Sequence, residues 1–158
     1  MSAAGRAAAK WLSSTSSRTF VLWPVVISAA EAALQQGTPK IHLWALPLLA
    51  WGFLQYWLIG RLRLREGGGG PGISIPPERL VTGGPYRFCR NPMYLGHLIF
   101  LAGLAFALDS WIAAALFVFH AVWFDRRVRD DEARLSALFG DPYREYRARV
   151  KRWIPWLL

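Results

Sequence analysis

Cysteine is almost absent from this sequence, and its scarcity excludes several classes of protein. A single thiol, Cys89, cannot build a disulfide framework within the chain. Neither CxxC nor zinc-ligand spacing occurs, so we expect no metal site. The neighbouring Arg87 and Arg90 would favour a thiolate nucleophile at Cys89. The favoured interpretation is a small, packed residue.

Acidic residues are also few. Asp and Glu number 10 against 19 Lys and Arg, which gives the chain a net charge of +9. A soluble domain this basic would be a candidate for binding nucleic acid. Here the basic residues lie in blocks between long apolar stretches, and 54% of all residues are hydrophobic. This arrangement indicates a membrane protein that does not bind nucleic acid.

The glycine run at residues 67–70 lacks the features of a phosphate-binding loop. No Walker lysine follows it, and the strand–GxGxxG–helix context of dinucleotide sites is absent. A soluble nucleotide-binding fold is therefore excluded. The run predicts a flexible connector within the polar stretch 61–90.

Apolar periodicity predicts an all-α, polytopic membrane protein with about four transmembrane helices. The apolar segments are residues 19–34, 41–60, 93–108 and 111–124. The second segment has no formal charge, and about 20 apolar residues suffice to cross the hydrocarbon layer. Asp109 and Ser110 predict a tight hairpin between the last two segments. The last segment is expected to continue as one long helix that stops at Gly140.

Basic residues orient these segments. Three precede Thr19, six lie within 61–90, nine follow Phe124, and only Lys40 lies elsewhere. With four spans the three blocks share one side, which the positive-inside rule makes cytoplasmic. We therefore predict one domain over 1–158, with a lead-in and two spans in 1–60 and a cytosolic C-terminal helical segment. The short chain without an evident organelle address favours a bacterial inner membrane.

The stretch GGPYRFCRNPMYLG at residues 83–96 is the first candidate for chemistry. Asn91 is a strong helix N-cap, and Pro92 suits the first helical position. Such a helix start carries partial positive charge and suits a carboxylate, with Arg87 and Arg90 nearby. The alternative interpretation is a capped membrane helix whose arginines meet lipid phosphates.

Two later stretches are further candidates. In RRVRDDE, Arg127 and Asp131 lie four residues apart on one helix face, and Glu132 follows. These charges either line a polar cavity or pair along a solvated helix. In DPYREY, Tyr143 and Tyr146 share a face that either packs in a core or interfacial belt or stacks on a ligand.

One acid lies within the apolar sequence itself. Glu31 is in the first apolar segment, where a charged side chain is costly and usually faces the protein interior. It either pairs with His42 or marks a substrate path, or it lies near the far interface of the membrane.

The combined stretches resemble one known family. GPYRFCRNPMYLG, two short apolar helices, R-x4-E, LFGDPYREY and a closing IP resemble the membrane-bound isoprenylcysteine carboxyl methyltransferases and their phospholipid methyltransferase relatives. The resemblance covers about residues 80–155, and the order and spacing of its pieces make it specific. The family often has His where this chain has Asn91, and Glu-Glu where it has Asp131 and Glu132.

The resemblance implies a methyltransferase that uses S-adenosyl-L-methionine and releases S-adenosyl-L-homocysteine. The catalytic residues that it implies are Arg90, Arg127 and Glu132. Phe139 and Gly140 match the family's last element. The donor-binding residues that it implies are Tyr86, Asn91, Pro92, Tyr94, Leu95, Gly96, Asp131, Glu132, Tyr143 and Tyr146.

The acceptor implied by the resemblance is lipophilic and enters from the bilayer. It is an isoprenylcysteine-like carboxylate, a phospholipid amine or a thiol, and an amine would need a base such as Glu132. One alternative function is that of an NADPH-dependent membrane sterol-type reductase, although such enzymes are generally longer. The other is a non-enzymatic lipid-binding protein. The sequence leaves the oligomeric state open.

Overall fold

Helices make up the regular structure of the chain. The structure is a computed structural model that describes residues Gly5, Ala9, 11–34, 41–70 and 75–153, and these residues form no β-strand. The all-α fold class is therefore confirmed for the part of the chain that is described. The helices are α1 (Thr15–Leu34), α2 (Leu43–Gly67), α3 (Pro92–Leu108), α4 (Trp111–Phe139) and α5 (Asp141–Arg149).

Proline marks the start of three of these helices. Pro92 is the first residue of α3, and Pro142 is the second residue of α5. Pro47 is the second residue of the α-helical part of α2, which follows a 3-10 turn at Leu43–Ala45. Proline suits these positions because its missing N–H would have no intrahelical partner there.

Within the described residues, two helices are long and apolar enough to cross a membrane. These are α1 and α2, with 20 and 25 residues, whereas the apolar helix α3 is shorter. Large apolar side chains on both helices are exposed, such as Val25, Trp51 and Leu58. Such outward-facing apolar surface suits contact with lipid. The four-span topology stays a prediction.

The hairpin between α3 and α4 is present as predicted. Leu108 ends α3 and Trp111 begins α4, with Asp109 in a left-handed conformation at φ 46°. Ser110 caps α4, since its Oγ accepts a hydrogen bond of 3.1 Å from the Ala113 N–H. The prediction that α4 continues as one long helix is also confirmed, because it runs through Phe139. Gly140, at φ 62°, interrupts the helix there.

The chain divides into two compact units. The first consists of Met1–Phe53 and His97–Val118, and the second of Leu54–Gly96 and Phe119–Leu158. The helices α2, α3 and α4 each contribute residues to both units.

In the first unit, a buried acid meets a helix cap. Glu31 is 7% exposed, and its carboxylate accepts a hydrogen bond from the Ser110 hydroxyl. The N–H of His42 donates to the Ala107 carbonyl at 2.7 Å. Glu31 therefore faces the protein interior, where the Ser110 hydroxyl is one of its partners.

The helices of the first unit are closely packed. Ile27 of α1, Leu104 and Leu108 of α3 and Ala113 of α4 form a buried cluster. A Cβ at Gly103 of α3 would lie 3.0 Å from the backbone nitrogen of Leu49 in α2. A side chain at Gly103 would require the backbone of α2 to shift by a few tenths of an ångström, so glycine favours this close approach.

The second unit has a core of its own. Its buried residues come from α2, the segment before α3, the first turn of α3 and helix α5. They are Ile59, Val81, Tyr86, Met93, Tyr143 and Tyr146. The segment before α3 includes a 3-10 turn at Gly84–Arg87.

The start of the glycine run packs closely against the segment that follows it. The Gly67 carbonyl accepts hydrogen bonds from the N–H groups of Glu78 and Arg79, at 2.8 and 2.9 Å. A Cβ at Gly67 would lie 2.7 Å from a methyl group of Val81. Gly67 is therefore a folded position, which differs from the predicted flexible connector. The close approach explains why glycine is needed there.

Some predictions fall outside the described residues. They concern Arg6 and Lys10 in the N-terminal lead-in, Lys40 between the first two apolar segments, and Ile154 and Pro155 of the closing IP motif.

The close approach at Gly103 predicts a specific loss of stability. We expect Gly103→Val to destabilise the protein by about 1–3 kcal/mol, because the added side chain would force backbone atoms of α2 to shift. Thermal unfolding in one detergent, followed by circular dichroism, measures the effect. Ala115→Val, on the exposed face of α4, is the control. Equal unfolding midpoints for the two variants would contradict this account.

Candidate active site

The turn that leads into α3 places several of the predicted residues. After the 3-10 turn Gly84–Arg87 the chain passes through Cys89, Arg90 and Asn91 before α3 begins at Pro92. The Asn91 carbonyl accepts a hydrogen bond of 3.1 Å from the Leu95 N–H. This is the first intrahelical bond of α3, so the predicted helix start is confirmed.

A buried carboxylate lies at the centre of the candidate site. Glu132 of α4 is 3% exposed. Nε and Nη2 of Arg90 donate to its Oε1 at 3.0 and 2.8 Å. Arg152 donates from Nη2 to Oε2 at 2.9 Å and from Nε to Oε1 at 3.3 Å. Two guanidinium groups therefore hold one carboxylate.

The pKa of Glu132 follows from these contacts. Burial by itself would raise this pKa, but the hydrogen bonds and charges of Arg152 and Arg90 outweigh it and hold the pKa below its ordinary range. Glu132 is therefore ionised at neutral pH. A carboxylate held in this way is poorly suited to accept a proton.

The C-terminal segment 150–153 is bound to the turn before α3. The Arg90 N–H donates to the Lys151 carbonyl at 3.0 Å. Nη1 of Arg90 donates to the carbonyls of Arg147, at 3.0 Å, and Val150. The side-chain amide of Asn91 donates to the Arg152 carbonyl at 3.3 Å. Backbone and side-chain bonds together fix this segment beside Glu132.

Cys89 belongs to the same network. Its thiol donates to the Arg152 carbonyl, and its sulfur accepts from the Asn91 N–H, both at 3.3 Å. Burial raises the pKa of the thiol to about 11, because it outweighs the Asn91 hydrogen bond and the charge of Arg90. Cys89 is therefore a neutral, packed residue, as the sequence favoured.

A second polar group lies around Tyr94, on the first turns of α3. The Tyr94 hydroxyl donates to Asp131 Oδ2 at 2.7 Å and accepts from Nε of Arg127 at 3.0 Å. Asp131 also binds Arg134 at 3.0 Å. The Tyr94 ring packs edge-on against Phe124, with centroids 5.0 Å apart. Tyr94 thus links the predicted Arg127 and Asp131, which belong to α4.

Three buried tyrosines complete the site. The Tyr146 hydroxyl donates to the Tyr86 carbonyl at 2.7 Å, and the rings of Tyr143 and Tyr146 lie 6.0 Å apart. Tyr143 is 2% exposed. Burial and the nearby Glu132 charge raise the pKa of Tyr143 to about 12, so its hydroxyl stays neutral. The face shared by Tyr143 and Tyr146 is part of the core.

A cavity in the second unit is lined by most of the predicted residues. Leu95, Gly96 and Arg127 are not among its lining residues. Leu95 and Gly96 lie in the first turns of α3, and Arg127 donates to the hydroxyl of Tyr94, which lines the cavity. The predicted residues that line it are Tyr86, Arg90, Asn91, Pro92, Tyr94, Asp131, Glu132, Tyr143 and Tyr146.

The cavity wall also contains residues that the sequence did not single out. Arg63 of α2 is 8% exposed, lines the cavity and donates to the Ile75 carbonyl. The apolar residues Pro76, Pro77, Leu80 and Val81 line another part. Arg63 lay in the basic block after the second apolar segment, and nothing in that block distinguished it from Arg61 and Arg65.

Sequence reasoning also missed Arg152. It lies in KRWIPWLL, which reads as an interfacial anchor, yet its guanidinium binds Glu132. The only signal in the sequence was its position just before the closing IP motif.

The side chains around the cavity fit an S-adenosyl-L-methionine donor. The guanidinium groups of Arg63 and Arg90 match a carboxylate, and the carboxylates of Asp131 and Glu132 match an ammonium group or ribose hydroxyls. The aromatic rings of the cavity suit an adenine ring or a sulfonium cation.

Comparisons with known proteins find several that resemble this chain. Residues 42–141 match a family model described as phospholipid methyltransferase. Protein-S-isoprenylcysteine O-methyltransferase of Schizosaccharomyces pombe is 37% identical over 78 residues, which cover 48% of this chain and 33% of that protein. Methanethiol S-methyltransferase 1 of Bradyrhizobium diazoefficiens is 35% identical over 88 residues, which cover 54% of this chain and 29% of that protein.

A plant relative matches over a similar length. Protein-S-isoprenylcysteine O-methyltransferase B of Arabidopsis thaliana is 37% identical over 82 residues, covering 51% of this chain and 41% of that protein. The matched part of the chain thus spans between 29% and 41% of the length of these three relatives.

The paired Glu132 predicts a pH-dependent contribution to stability. Because the pKa of Glu132 is depressed in the folded protein, its contribution is present above the unfolded pKa and is lost as pH falls through the folded pKa. We expect Glu132→Gln to cost about 3–5 kcal/mol at neutral pH, because two arginines lose their shared anion.

Thermal unfolding as a function of pH checks this expectation. The difference in midpoint between wild type and Glu132→Gln should shrink as the solution becomes acidic. Glu145→Gln, an exposed change on α5, is the control and should leave the midpoint nearly unchanged. A difference that stays constant down to about pH 3 would show that the charge of Glu132 contributes nothing.

Proposed function

Because the chain belongs to the phospholipid methyltransferase family, we propose that it is an S-adenosylmethionine-dependent membrane methyltransferase with a lipophilic acceptor. The observation that carries the proposal is the buried Glu132 carboxylate, held by Arg90 in a cavity wall that also contains tyrosine rings. When bound, the donor supplies a methyl group on a positively charged sulfur.

The cavity residues would bind and orient this donor. Glu132 and Asp131 are hydrogen-bond acceptors. Arg90 fixes the position of Glu132, and Tyr94 fixes that of Asp131. The start of α3 at Pro92 and the Arg90 guanidinium would attract its carboxylate. The tyrosines would exclude water and cover its aromatic part. Alignment and desolvation of this kind supply most of the catalysis in an in-line displacement.

An acceptor that arrives as an anion suits this site best. Glu132 is bound by two guanidinium groups, which hold its pKa below the ordinary range, so this carboxylate is poorly suited to take a proton. A carboxylate or thiolate needs no base, whereas an ammonium must first lose a proton. Arg127, next to Tyr94, would orient the acceptor anion. We therefore favour a lipophilic carboxylate or thiolate over a phospholipid amine.

The membrane arrangement that we propose follows the charge blocks. Residues 1–158 would act as one domain with four spans, and the site would face the cytoplasm of a bacterial inner membrane. The exposed apolar residues of α1 and α2 and the clustered arginines after Phe124 support this arrangement. An acceptor would then enter from the bilayer and the donor from the cytosol.

Neither alternative function gains support from the comparisons. The three relatives described above are named as O- or S-methyltransferases, which does not favour an NADPH-dependent sterol-type reductase. The buried pair of Arg90 and Glu132 in a cavity wall also counts against a purely lipid-binding protein. A buried ion pair seldom stabilises a protein more than apolar packing would, so stability alone does not explain it.

Donor binding is the first test of the proposed function. We expect S-adenosylmethionine and S-adenosylhomocysteine to bind saturably to the purified protein in detergent or lipid nanodiscs. Glu132→Gln should weaken binding about tenfold or more, since a hydrogen bond to a charged group is lost. Isothermal titration calorimetry measures both affinities.

Glu145→Gln is the matched control, because it makes the same change at an exposed position of α5 and should bind like wild type. Circular dichroism verifies that each variant is folded. The proposed function is wrong if folded wild-type protein binds neither compound in detergent or in lipid.

The class of acceptor can be tested separately. With a donor carrying a radioactive methyl group, we expect transfer to an S-farnesyl cysteine carboxylate or to a lipophilic thiolate, and none to phosphatidylethanolamine. The physical reason is that Glu132, held by two guanidinium groups, is poorly suited to accept a proton. Methylation of the phospholipid amine at a comparable rate would contradict the preference for anionic acceptors.

A further inference from the structure

We propose that Arg152 is a positioning residue, which fixes the orientation of the Glu132 carboxylate in the cavity wall. The role of that orientation in donor binding rests on the proposed function. The positioning itself follows from contacts in the second unit that do not depend on any ligand.

The two arginines hold Glu132 in different ways. Arg90 binds one oxygen, because both of its nitrogens donate to Oε1. Arg152 spans the carboxylate, with Nη2 at 2.9 Å from Oε2 and Nε at 3.3 Å from Oε1. A group that binds only Oε1 leaves the carboxylate able to rotate, whereas a guanidinium that spans both oxygens fixes its plane.

Arg152 is itself fixed from both sides. Its Nη1 lies 3.4 Å from Asp125 Oδ1, which also accepts from the Trp153 indole N–H at 3.0 Å. Its carbonyl accepts from the Cys89 thiol and the Asn91 amide. Asp125 precedes Glu132 by seven residues, so both carboxylates lie on one face of α4. Arg152 therefore has little freedom to turn away from Glu132.

The side chain of Arg152 acts through Glu132. The Arg152 side chain is 23% exposed and does not line the cavity, whereas Glu132 and Arg90 do. Removing Arg152 should therefore leave the cavity lining intact while freeing Oε2. A donor that relies on a fixed Oε2 would then bind less tightly.

The pH at which Glu132 titrates depends directly on its contact with Arg152. Among the described residues, the charges that act on it are Arg90, in the turn before α3, and Arg152, in the C-terminal segment. Tyr143 of α5 lies near it, Asp131 precedes it in α4, and Asp125 of the same helix is linked to it through Arg152. Tyr143 stays neutral at physiological pH, so the two guanidiniums provide the positive charge. Loss of one of them should shift the titration of Glu132 to higher pH.

The experiment follows the glutamate carboxyl carbons by NMR. The protein is labelled with 13C at the glutamate side-chain carboxyl, which gives signals for Glu31, Glu66, Glu78, Glu132 and Glu145. Glu132→Gln identifies the signal of Glu132. Wild type, Arg152→Gln, Arg152→Lys and Arg149→Gln are then titrated with acid. Arg149→Gln removes the same charge at an exposed position three residues away.

We expect the Glu132 midpoint to rise in Arg152→Gln and to remain unchanged in Arg149→Gln. Arg152→Lys should give an intermediate shift, because a lysine keeps the charge but cannot span both oxygens. Affinity for S-adenosylhomocysteine should fall about tenfold in Arg152→Gln at neutral pH. It should weaken further as the pH falls, because Glu132 becomes protonated at a higher pH in this variant than in wild type.

An unchanged Glu132 midpoint in folded Arg152→Gln would overturn the positioning role. The positioning role would also be overturned if Arg152→Lys kept the wild-type titration midpoint of Glu132 while its affinity for the donor fell as far as that of Arg152→Gln. If Arg152→Gln does not fold, the titration of Arg152→Lys against Arg149→Gln decides the question. Failure of the wild-type protein to bind the donor would overturn the proposed function, and the carboxyl titration would still decide whether Arg152 positions Glu132.

Discussion

Burial of the Glu132 charge is the constraint on which the candidate site depends. A carboxylate that is 3% exposed is stable only if cations and hydrogen bonds replace the lost water. In the second unit this need is met by Arg90 from the turn before α3 and by Arg152 from the C-terminal segment. The same turn then binds the backbone of that segment through Cys89 and Asn91. One buried charge thus organises three separate parts of the chain.

This arrangement has a consequence for the chemistry. Two guanidinium groups keep Glu132 ionised, and the neighbouring Asp131 is held by the Tyr94 hydroxyl. The site therefore offers fixed acceptors for a cationic or hydroxylated ligand, and Glu132 is a weak proton acceptor. A methyl transfer that relies on alignment fits such a site better than one that begins with deprotonation. The acceptor class proposed for this protein follows from that difference.

The first unit depends on a different physical principle. Its described helices approach closely at Gly103, where a side chain would meet the backbone of α2. Its buried acid, Glu31, meets the hydroxyl that caps α4. Both features concern how helices with apolar exteriors pack together. In a lipid environment, small residues and satisfied polar groups stabilise such packing, because apolar burial between helices gains little.

The sequence by itself determined the helices and many members of the site. Apolar segments, Asn91–Pro92, Asp109–Ser110 and Gly140 predicted helix type and boundaries because these signals are local. The family resemblance, carried by short motifs, named Arg90, Glu132 and the tyrosines. Only the tertiary structure decided which charges meet. Arg152 and Arg63 looked like other arginines in basic blocks, and Cys89 like any small residue. Their roles depend on contacts between residues as many as 63 positions apart, which no local pattern encodes.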